Sequence, residues 1–178
     1  NYIMGNPPFV GYSLQNKEQK ADILSVYVDE KGKSYKTAGK IDYVAGWYFK
    51  AACLMVNTKI RTAFVSTNSI TQGEQVVNVW KPLCERFDIH IDFAWRTFKW
   101  ESEAVMKAAV HVVIVGFSVI GIDNKILYDE TSYKIVDNIN CYLAEAEDIF
   151  VVPRNKPVCD VPQMLTGNRP TDGGYLIL

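Results

Sequence analysis

The interpretation of this chain depends on its first nine residues, Asn1-Tyr2-Ile3-Met4-Gly5-Asn6-Pro7-Pro8-Phe9. The apolar run before Gly5 predicts a short buried strand that ends at a loop. The two consecutive prolines exclude both a helix and ladder pairing, because a proline nitrogen carries no hydrogen. We therefore expect a rigid loop directly after a strand. In an open α/β sheet, that position lies at the edge where ligands bind.

Further along the chain, strand-like and helix-like segments alternate. Apolar residues recur at helical spacing or in compact β-type runs. We predict helices at residues 42–57 and 72–86, the second kinked or ended early by Pro82, and strands at residues 61–66, 89–93 and 109–117. This order predicts an α/β fold with an open, mostly parallel sheet. We expect its last two strands to form an antiparallel hairpin with a long connection.

The remaining segments give weaker signals. Residues 11–40 are polar around a small apolar patch, which indicates a loop or a partly helical excursion. Residues 126–128 can form a short strand, whereas residues 133–149 fit no single pattern. Residues 152–178 hold four of the seven prolines and predict a linker. Because the chain opens within a strand, we expect it to be part of a longer protein.

Composition sets limits on the function. The chain has 178 residues, 48% of them hydrophobic, which suits a globular domain or part of one. Nineteen basic residues balance twenty acidic ones, so net charge gives no support for nucleic-acid binding. No apolar stretch is long enough to span a membrane, and no signal peptide precedes the first strand. The scattered cysteines predict a reducing, cytoplasmic environment.

The sequence predicts no metal site. Its two histidines, His90 and His111, are distant from each other, and the four cysteines form no C-x-x-C pair. We expect His111, which lies within the apolar run 109–117, to be a buried core residue.

The residue types of the first loop fit one particular reaction. The exocyclic amino group of adenine is a poor nucleophile, because its lone pair is delocalised into the ring. A catalyst must accept hydrogen bonds from both N–H groups, and the Asn6 side-chain oxygen and the Pro7 carbonyl can do so. The prolines hold these acceptors in place, and Phe9 offers a ring on which a flipped base can stack. The alternative is a plain turn, which Asn-Pro pairs often open.

Several segments carry a family resemblance. The residues Asn6-Pro7-Pro8-Phe9 resemble motif IV of amino-methyltransferases, [DNS]-P-P-[YF]. Four longer segments make the resemblance specific: SLQNKEQKAD (13–22), DYVAGWY (42–48), FVSTNSITQGEQ (64–75) and RTFKW (96–100). Together they are similar to the methyltransferase domain of MmeI-like, type IIL restriction–modification enzymes over residues 1–118. Residues 160–178 also resemble that family's run into its target-recognition domain.

The resemblance implies a fold and a function. It implies the C-terminal half of a Rossmann-like class I methyltransferase sheet at residues 1–118, and an extension and linker at residues 119–178. The parent polypeptide would also carry a nuclease, a cofactor-binding half and a target-recognition domain. Its expected reaction transfers a methyl group from S-adenosylmethionine to adenine N6 in duplex DNA. The sequence contains neither the family's glycine-rich cofactor loop nor its acidic ribose-binding residue, so we expect little activity from this chain alone.

The resemblance also assigns site residues. The catalytic residues would be Asn6, Pro7, Pro8 and Phe9, with Asn6 at the edge of the cofactor site. Phe98 and Trp100 would provide a second aromatic against the flipped base, and we favour Phe98. Cleft or DNA contacts are expected from Ser66, Thr67, Asn68, Arg96 and Lys99.

Two other functions are compatible with the same loop. An amino-methyltransferase of this type can act on RNA or on a protein glutamine. The paired aromatics around Phe98 favour a base over a glutamine side chain. A non-catalytic interaction domain would make the Asn6-Pro7 turn incidental.

Overall fold

A computed structural model of the protein describes residues 1–100, 110–154, 156 and 158–161. In the described part of the chain, six strands form one sheet. They are β1 (Tyr2–Gly5), β2 (Arg61–Thr67), β3 (His90–Trp100), β4 (Val110–Ser118), β5 (Lys125–Tyr128) and β6 (Tyr133–Val136). Their order across the sheet is β1-β2-β4-β3-β5-β6. The sheet thus continues beyond residue 118.

The sheet is mixed. The pairs β1–β2 and β3–β5 are parallel, whereas β2–β4, β3–β4 and β5–β6 are antiparallel. The α/β class and the predicted antiparallel hairpin of β3 and β4 are confirmed. The expectation of a mostly parallel sheet is wrong for these strands, because β4 lies antiparallel between β2 and β3. The predicted long connection, residues 101–109, lies outside the described residues.

The helices come from the segments between the first strands. They are α1 (Lys17–Val26), α2 (Ala45–Met55), α3 (Gly73–Gln75) and α4 (Lys81–Phe87), with a π-helical turn at Val76–Trp80 joining the last two. The helix predicted at residues 42–57 is confirmed as α2. A capping box begins α1, where the Asn16 side chain accepts from the Gln19 amide and the Gln19 side chain accepts from the Asn16 amide.

Pro82 does not end the second predicted helix. Helical structure continues to Phe87 and stops at Asp88, which adopts a left-handed conformation with φ of 54°. Pro82 lies in the first turn of α4, directly after the π-helical turn. A missing N–H costs least in a first turn, so the helix tolerates the proline there.

The main core lies between one face of the sheet and α2, the π-helical turn and α4. Tyr48 of α2 stacks on Phe117 of β4, with ring centroids 5.1 Å apart, and Trp80 packs edge-on against both rings. All three side chains are fully buried. Burial of this aromatic cluster fixes the helix layer on the sheet.

The other face of the sheet is also aromatic. The Phe93 ring lies directly over Gly116, and Trp95 stacks on Tyr128 with centroids 5.2 Å apart. The prediction that His111 is a core residue is wrong: His111 is exposed. It is the second residue of β4, near the end of the sheet, where the helix layer does not cover it.

Candidate active site

The proposed catalytic loop begins where β1 ends. The last pair of the β1–β2 ladder joins Gly5 to Phe64, and β2 continues three residues further to Thr67. Because the two strands are parallel, both carboxyl ends lie at the same edge of the sheet. Residues 6–9 therefore leave the sheet beside the end of β2.

This loop displays its functional side chains. Asn6 and Pro8 are exposed, Pro7 is buried, and Phe9 is 36% exposed. In the described part of the chain, the Asn6 side chain has no hydrogen-bond partner. The buried Pro7 anchors the loop, while the exposed Asn6 keeps its side-chain oxygen free to accept a hydrogen bond.

Antiparallel pairing brings the end of β3 to the same edge. Thr67 pairs with Val112, and Val112 pairs with Phe98 on its other side. These three residues form one row on the face opposite the main core. Phe98 is half-buried, and its ring centroid lies 6.2 Å from that of Trp100, which is 43% exposed. Four adjacent strands span about 14 Å, so Phe98 is three strand spacings from β1.

The three residues at the end of β2 differ in accessibility. Ser66 is fully buried, and its hydroxyl shares a 2.8 Å hydrogen bond with the Tyr48 hydroxyl. Ser66 is therefore not available for the cleft or DNA contact expected of it, because it lies on the core face of β2. Thr67 and Asn68 are half-buried and remain at the edge. Burial raises the pKa of Tyr48, so its hydroxyl stays neutral in this core.

The two expected basic contacts also differ. Arg96 donates from Nε to the Leu143 carbonyl at 3.0 Å, and its Nη1 lies 3.6 Å from Oδ2 of Asp129. These contacts hold the segment around residue 143 against β3. Lys99 is exposed and pairs in register with His111 at the end of the hairpin. Both residues lie in the part of β3 that reaches this edge, and Arg96 is engaged with Leu143 and Asp129.

Asp42 connects two loops at this edge, a role that the sequence did not suggest. Its Oδ1 accepts from the Tyr12 backbone N–H at 2.9 Å, and its Oδ2 accepts from the Ser69 hydroxyl. The Tyr43 N–H donates to the Val10 carbonyl at 2.9 Å. In the sequence, the segment DYVAGWY carries both the family resemblance and the start of the helix predicted at residues 42–57. Its acid directly before a helical stripe was the one local signal, and that signal indicates a helix cap rather than a loop contact.

The described residues give two further findings. They contain no group of three or more His, Cys, Asp or Glu side chains placed to hold a metal ion. Among the helices that the structure describes, none has the length and apolar character needed to cross a membrane.

Comparisons with known proteins agree on one family. Residues 1–129 match the family model described as MmeI, DNA-methyltransferase domain. The chain is 45% identical over 177 residues to DNA methyltransferase A of Bacillus subtilis (strain 168), covering 99% of this chain and 20% of that protein. It also resembles the solved structure of the type IIL restriction–modification enzyme MmeI in complex with DNA, with 47% identity and a TM-score of 0.86. That match covers 97% of this chain and 23% of the MmeI chain.

The chain therefore spans about a fifth of each of these two longer proteins. The family match covers well over half of the chain and includes the loop at residues 6–9, the ends of β2 and β3, and Asp42. This chain belongs to the MmeI DNA-methyltransferase domain family.

Proposed function

We propose that this chain carries the catalytic loop of an S-adenosylmethionine-dependent methyltransferase that modifies adenine N6 in duplex DNA. The observation that carries the proposal is the exposed Asn6 directly after β1, on an anchored loop beside the end of β2. The similarity to a bacterial DNA methyltransferase and to MmeI bound to DNA supports DNA as the substrate.

In this mechanism, Asn6 and Pro7 activate the target amino group. The Asn6 side-chain oxygen and the Pro7 carbonyl each accept a hydrogen bond from one N–H of the adenine amino group. These bonds draw the nitrogen lone pair out of conjugation with the ring and towards the incoming methyl group. The acceptors are oriented before the substrate arrives, so little reorganisation is needed at the moment of reaction.

Aromatic side chains hold the flipped base in this proposal. Phe9 stacks on one side of the base, and Phe98 is our candidate for a second aromatic contact. Phe98 shares a row with Thr67 at the sheet edge, whereas Trp100 lies two residues further along β3 and is more exposed. This difference favours Phe98 over Trp100.

S-adenosylmethionine would supply the methyl group as an electrophile: the carbon–sulfur bond would break as the carbon–nitrogen bond forms, S-adenosylhomocysteine would leave, and the amino group would lose one proton to solvent. The residues present fit one edge of its site only: Asn6 has a free side chain there, but the chain contains no glycine-rich loop for the rest of the cofactor. Activity would thus depend on a cofactor-binding half elsewhere in the parent polypeptide. Residues 1–118 would be catalytic, and residues 119–178 would lead towards a target-recognition domain. A nuclease is proposed for the same polypeptide.

DNA contacts near the flipped base are assigned to residues at the sheet edge. Asn68 can donate a hydrogen bond from the end of β2, and Lys99 can approach a phosphate from the end of β3. The Thr67 hydroxyl donates to Ser69, so it can only accept a further hydrogen bond. Arg96 is a further candidate on the same strand, with a guanidinium that contacts Leu143 and Asp129.

The substrate class can be tested with the full-length parent protein. Duplex DNA, RNA and protein are each offered with S-adenosylmethionine labelled in the methyl group, and modified nucleosides or amino acids are identified by mass spectrometry. We expect N6-methyladenine in duplex DNA. Label in RNA, or in a protein glutamine, would establish the alternative amino-methyltransferase. Methylated cytosine as the DNA product would overturn the choice of adenine.

A further inference from the structure

We infer that Asp42 is a positioning residue that holds the catalytic loop in register with the end of β2. The inference rests on the proposed function, because it assigns to Asp42 the placement of the Asn6 and Pro7 acceptors. Asp42 lies outside the loop at residues 6–9, so it acts through hydrogen bonds to other segments.

The Asp42 carboxylate bridges two segments that leave the sheet at the same edge. One oxygen accepts from the backbone of Tyr12, three residues after Phe9. The other accepts from Ser69, in the 3-10 turn Asn68–Thr71 that directly follows β2. Ser69 in turn shares a 2.7 Å hydrogen bond with Thr67, the last residue of β2. The bonded path therefore runs from β2 through Asp42 to the far end of the catalytic loop.

The bridge itself is firmly held. Asp42 is 7% exposed, and its backbone N–H donates to Gln75 Oε1 at 3.2 Å. The two residues before Asp42 are held as well. The Gln75 side chain donates to the Lys40 carbonyl at 2.7 Å, and the Gln15 side chain donates to the Ile41 carbonyl at 2.9 Å. Because the Asp42 backbone is held in place, its buried carboxylate fixes the positions of both donors. Neither Tyr12 nor Ser69 can move without losing its hydrogen bond.

The catalytic loop has two anchors of different kinds. At its start, β1 pairs with β2 through Gly5, and at its end Val10 and Tyr12 are bonded to Tyr43 and Asp42. Loss of the carboxylate would remove the Tyr12 bond of the second anchor and leave only the Val10–Tyr43 bond there, with the first anchor intact. The chain would still fold and bind DNA, while the loop acceptors would lose their fixed placement. Displacement of reacting groups by about 1 Å can reduce a rate by about a hundredfold.

The test uses the full-length protein with saturating duplex DNA and S-adenosylmethionine. For Asp42→Ala we expect kcat to fall by about ten- to a hundredfold, while KM for DNA changes by less than about threefold. Asp42→Asn keeps an acceptor for Tyr12 and a polar partner for Ser69, so we expect it to restore kcat to within about threefold of wild type. Ser69→Ala removes only the hydrogen bond from Ser69 to the Asp42 carboxylate. Its kcat should therefore lie between those of wild type and Asp42→Ala.

Thr58→Ala is a matched control. Thr58 also makes two hydrogen bonds, to the Met55 carbonyl at 2.9 Å and from the Ile60 N–H at 3.1 Å. It lies between α2 and the start of β2, at the opposite end of the sheet from the loop. We expect this variant to retain wild-type kcat although it loses a similar number of bonds. If Asp42→Ala does not fold, the comparison of Ser69→Ala with Thr58→Ala decides the question.

Each outcome distinguishes this inference from the proposed function. Wild-type kcat in Asp42→Ala or in Ser69→Ala would overturn the positioning role, as would a loss in Asp42→Ala that appears only in KM. Asn6→Ala is measured alongside. If Asn6→Ala is inactive and the Asp42 and Ser69 variants are fully active, only the inference about Asp42 fails. If Asn6→Ala is fully active, the proposed function itself fails.

Discussion

Tyr48 of α2 and Ser66 of β2 share a 2.8 Å hydrogen bond between their hydroxyl oxygens, inside the core. The bond lies on the side of β2 that faces the helices, where Thr62 and Phe64 are also buried. Because side chains alternate along a strand, the next residue, Thr67, lies on the row that reaches Phe98. The facing of β2 thus separates Ser66, which belongs to the core, from Thr67, which can belong to an active site.

The Tyr48–Ser66 pair should show strong coupling in a double-mutant cycle. Tyr48→Phe leaves the Ser66 hydroxyl buried without that partner, which should lower the free energy of unfolding by about 1–3 kcal/mol. Ser66→Ala should cost a similar amount. The double variant should lose much less than the sum, because no orphaned hydroxyl remains. Denaturant unfolding of the four proteins measures this, and strictly additive losses would show that the pair is uncoupled.

Gly116 should resist replacement by alanine. A Cβ at this position would lie 2.0 Å from Cε1 of Phe93, so the ring must move out of its place on the sheet. We expect Gly116→Ala to destabilise the protein by about 1–3 kcal/mol. Gly39→Ala is the control, since a Cβ there meets nothing within 4 Å. Equal melting temperatures for the two variants would contradict the close packing of Phe93.

Asp92 should make stability depend on pH. Its side chain is buried, and neither carboxylate oxygen has a hydrogen-bond partner among the residues that the structure describes. Burial raises the pKa of Asp92 above its usual value. The neighbouring Ser118 hydroxyl, which lies too far or at too poor an angle for a regular hydrogen bond, and the charges of Arg61 and Lys125 offset only part of this shift. A carboxyl with a raised folded-state pKa stabilises the fold while it is protonated. That contribution is complete below its unfolded-state pKa and is lost as pH rises through the folded-state value.

Replacing Asp92 by asparagine removes this ionisation. Near neutral pH, Asp92→Asn should therefore raise the melting temperature by about 2–4 °C. The difference should shrink as pH falls towards about 4, the usual pKa of an aspartate in an unfolded chain. Thermal unfolding across this pH range provides the measurement. A variant that is less stable than wild type at neutral pH would indicate that the carboxylate is well solvated.

Phe98 and Trp100 should contribute unequally to catalysis in the full-length protein. Phe98→Ala should lower kcat/KM for duplex DNA by about ten- to a hundredfold, as expected for loss of a base-stacking ring. Trp100→Ala should have a smaller effect, because Trp100 lies further from Thr67. Steady-state methylation kinetics compare the two variants. A larger loss for Trp100→Ala would reverse the assignment.

Local sequence patterns predicted α2 and the start of each of the first four strands, but the expected burial of β1 is wrong, because Tyr2 and Met4 are exposed. They missed the second half of β3, because register shifts after Ile91 and after Trp95 interrupt its alternation. The position of β4 between β2 and β3 depends on pairing between distant segments, which local patterns do not encode. The spacing of Asn16 and Gln19 matches a capping box and is the sequence signal for the start of α1. The polar composition of residues 11–40 pointed to a loop instead.

The candidate site shows the same division. Asn6 and Phe9 could be identified from residue type and from their place after a strand. Burial of Ser66 could also be read from alternation along β2, because Ser66 lies on the same face as the buried Phe64. Engagement of Arg96 could not, because its partner, Leu143, lies far along the chain. Asp42 was missed for the same reason: its carboxylate contacts residues 30 and 27 positions away.

The central claim is tested most directly by Asn6→Ala in the full-length protein. Single-turnover methyl transfer to duplex DNA is measured with saturating S-adenosylmethionine, and DNA affinity is measured separately. Loss of one preorganised polar group at a reacting centre predicts a rate at least about a hundredfold lower, with DNA affinity nearly unchanged. A rate equal to that of wild type would show that the exposed asparagine after β1 takes no part in methyl transfer.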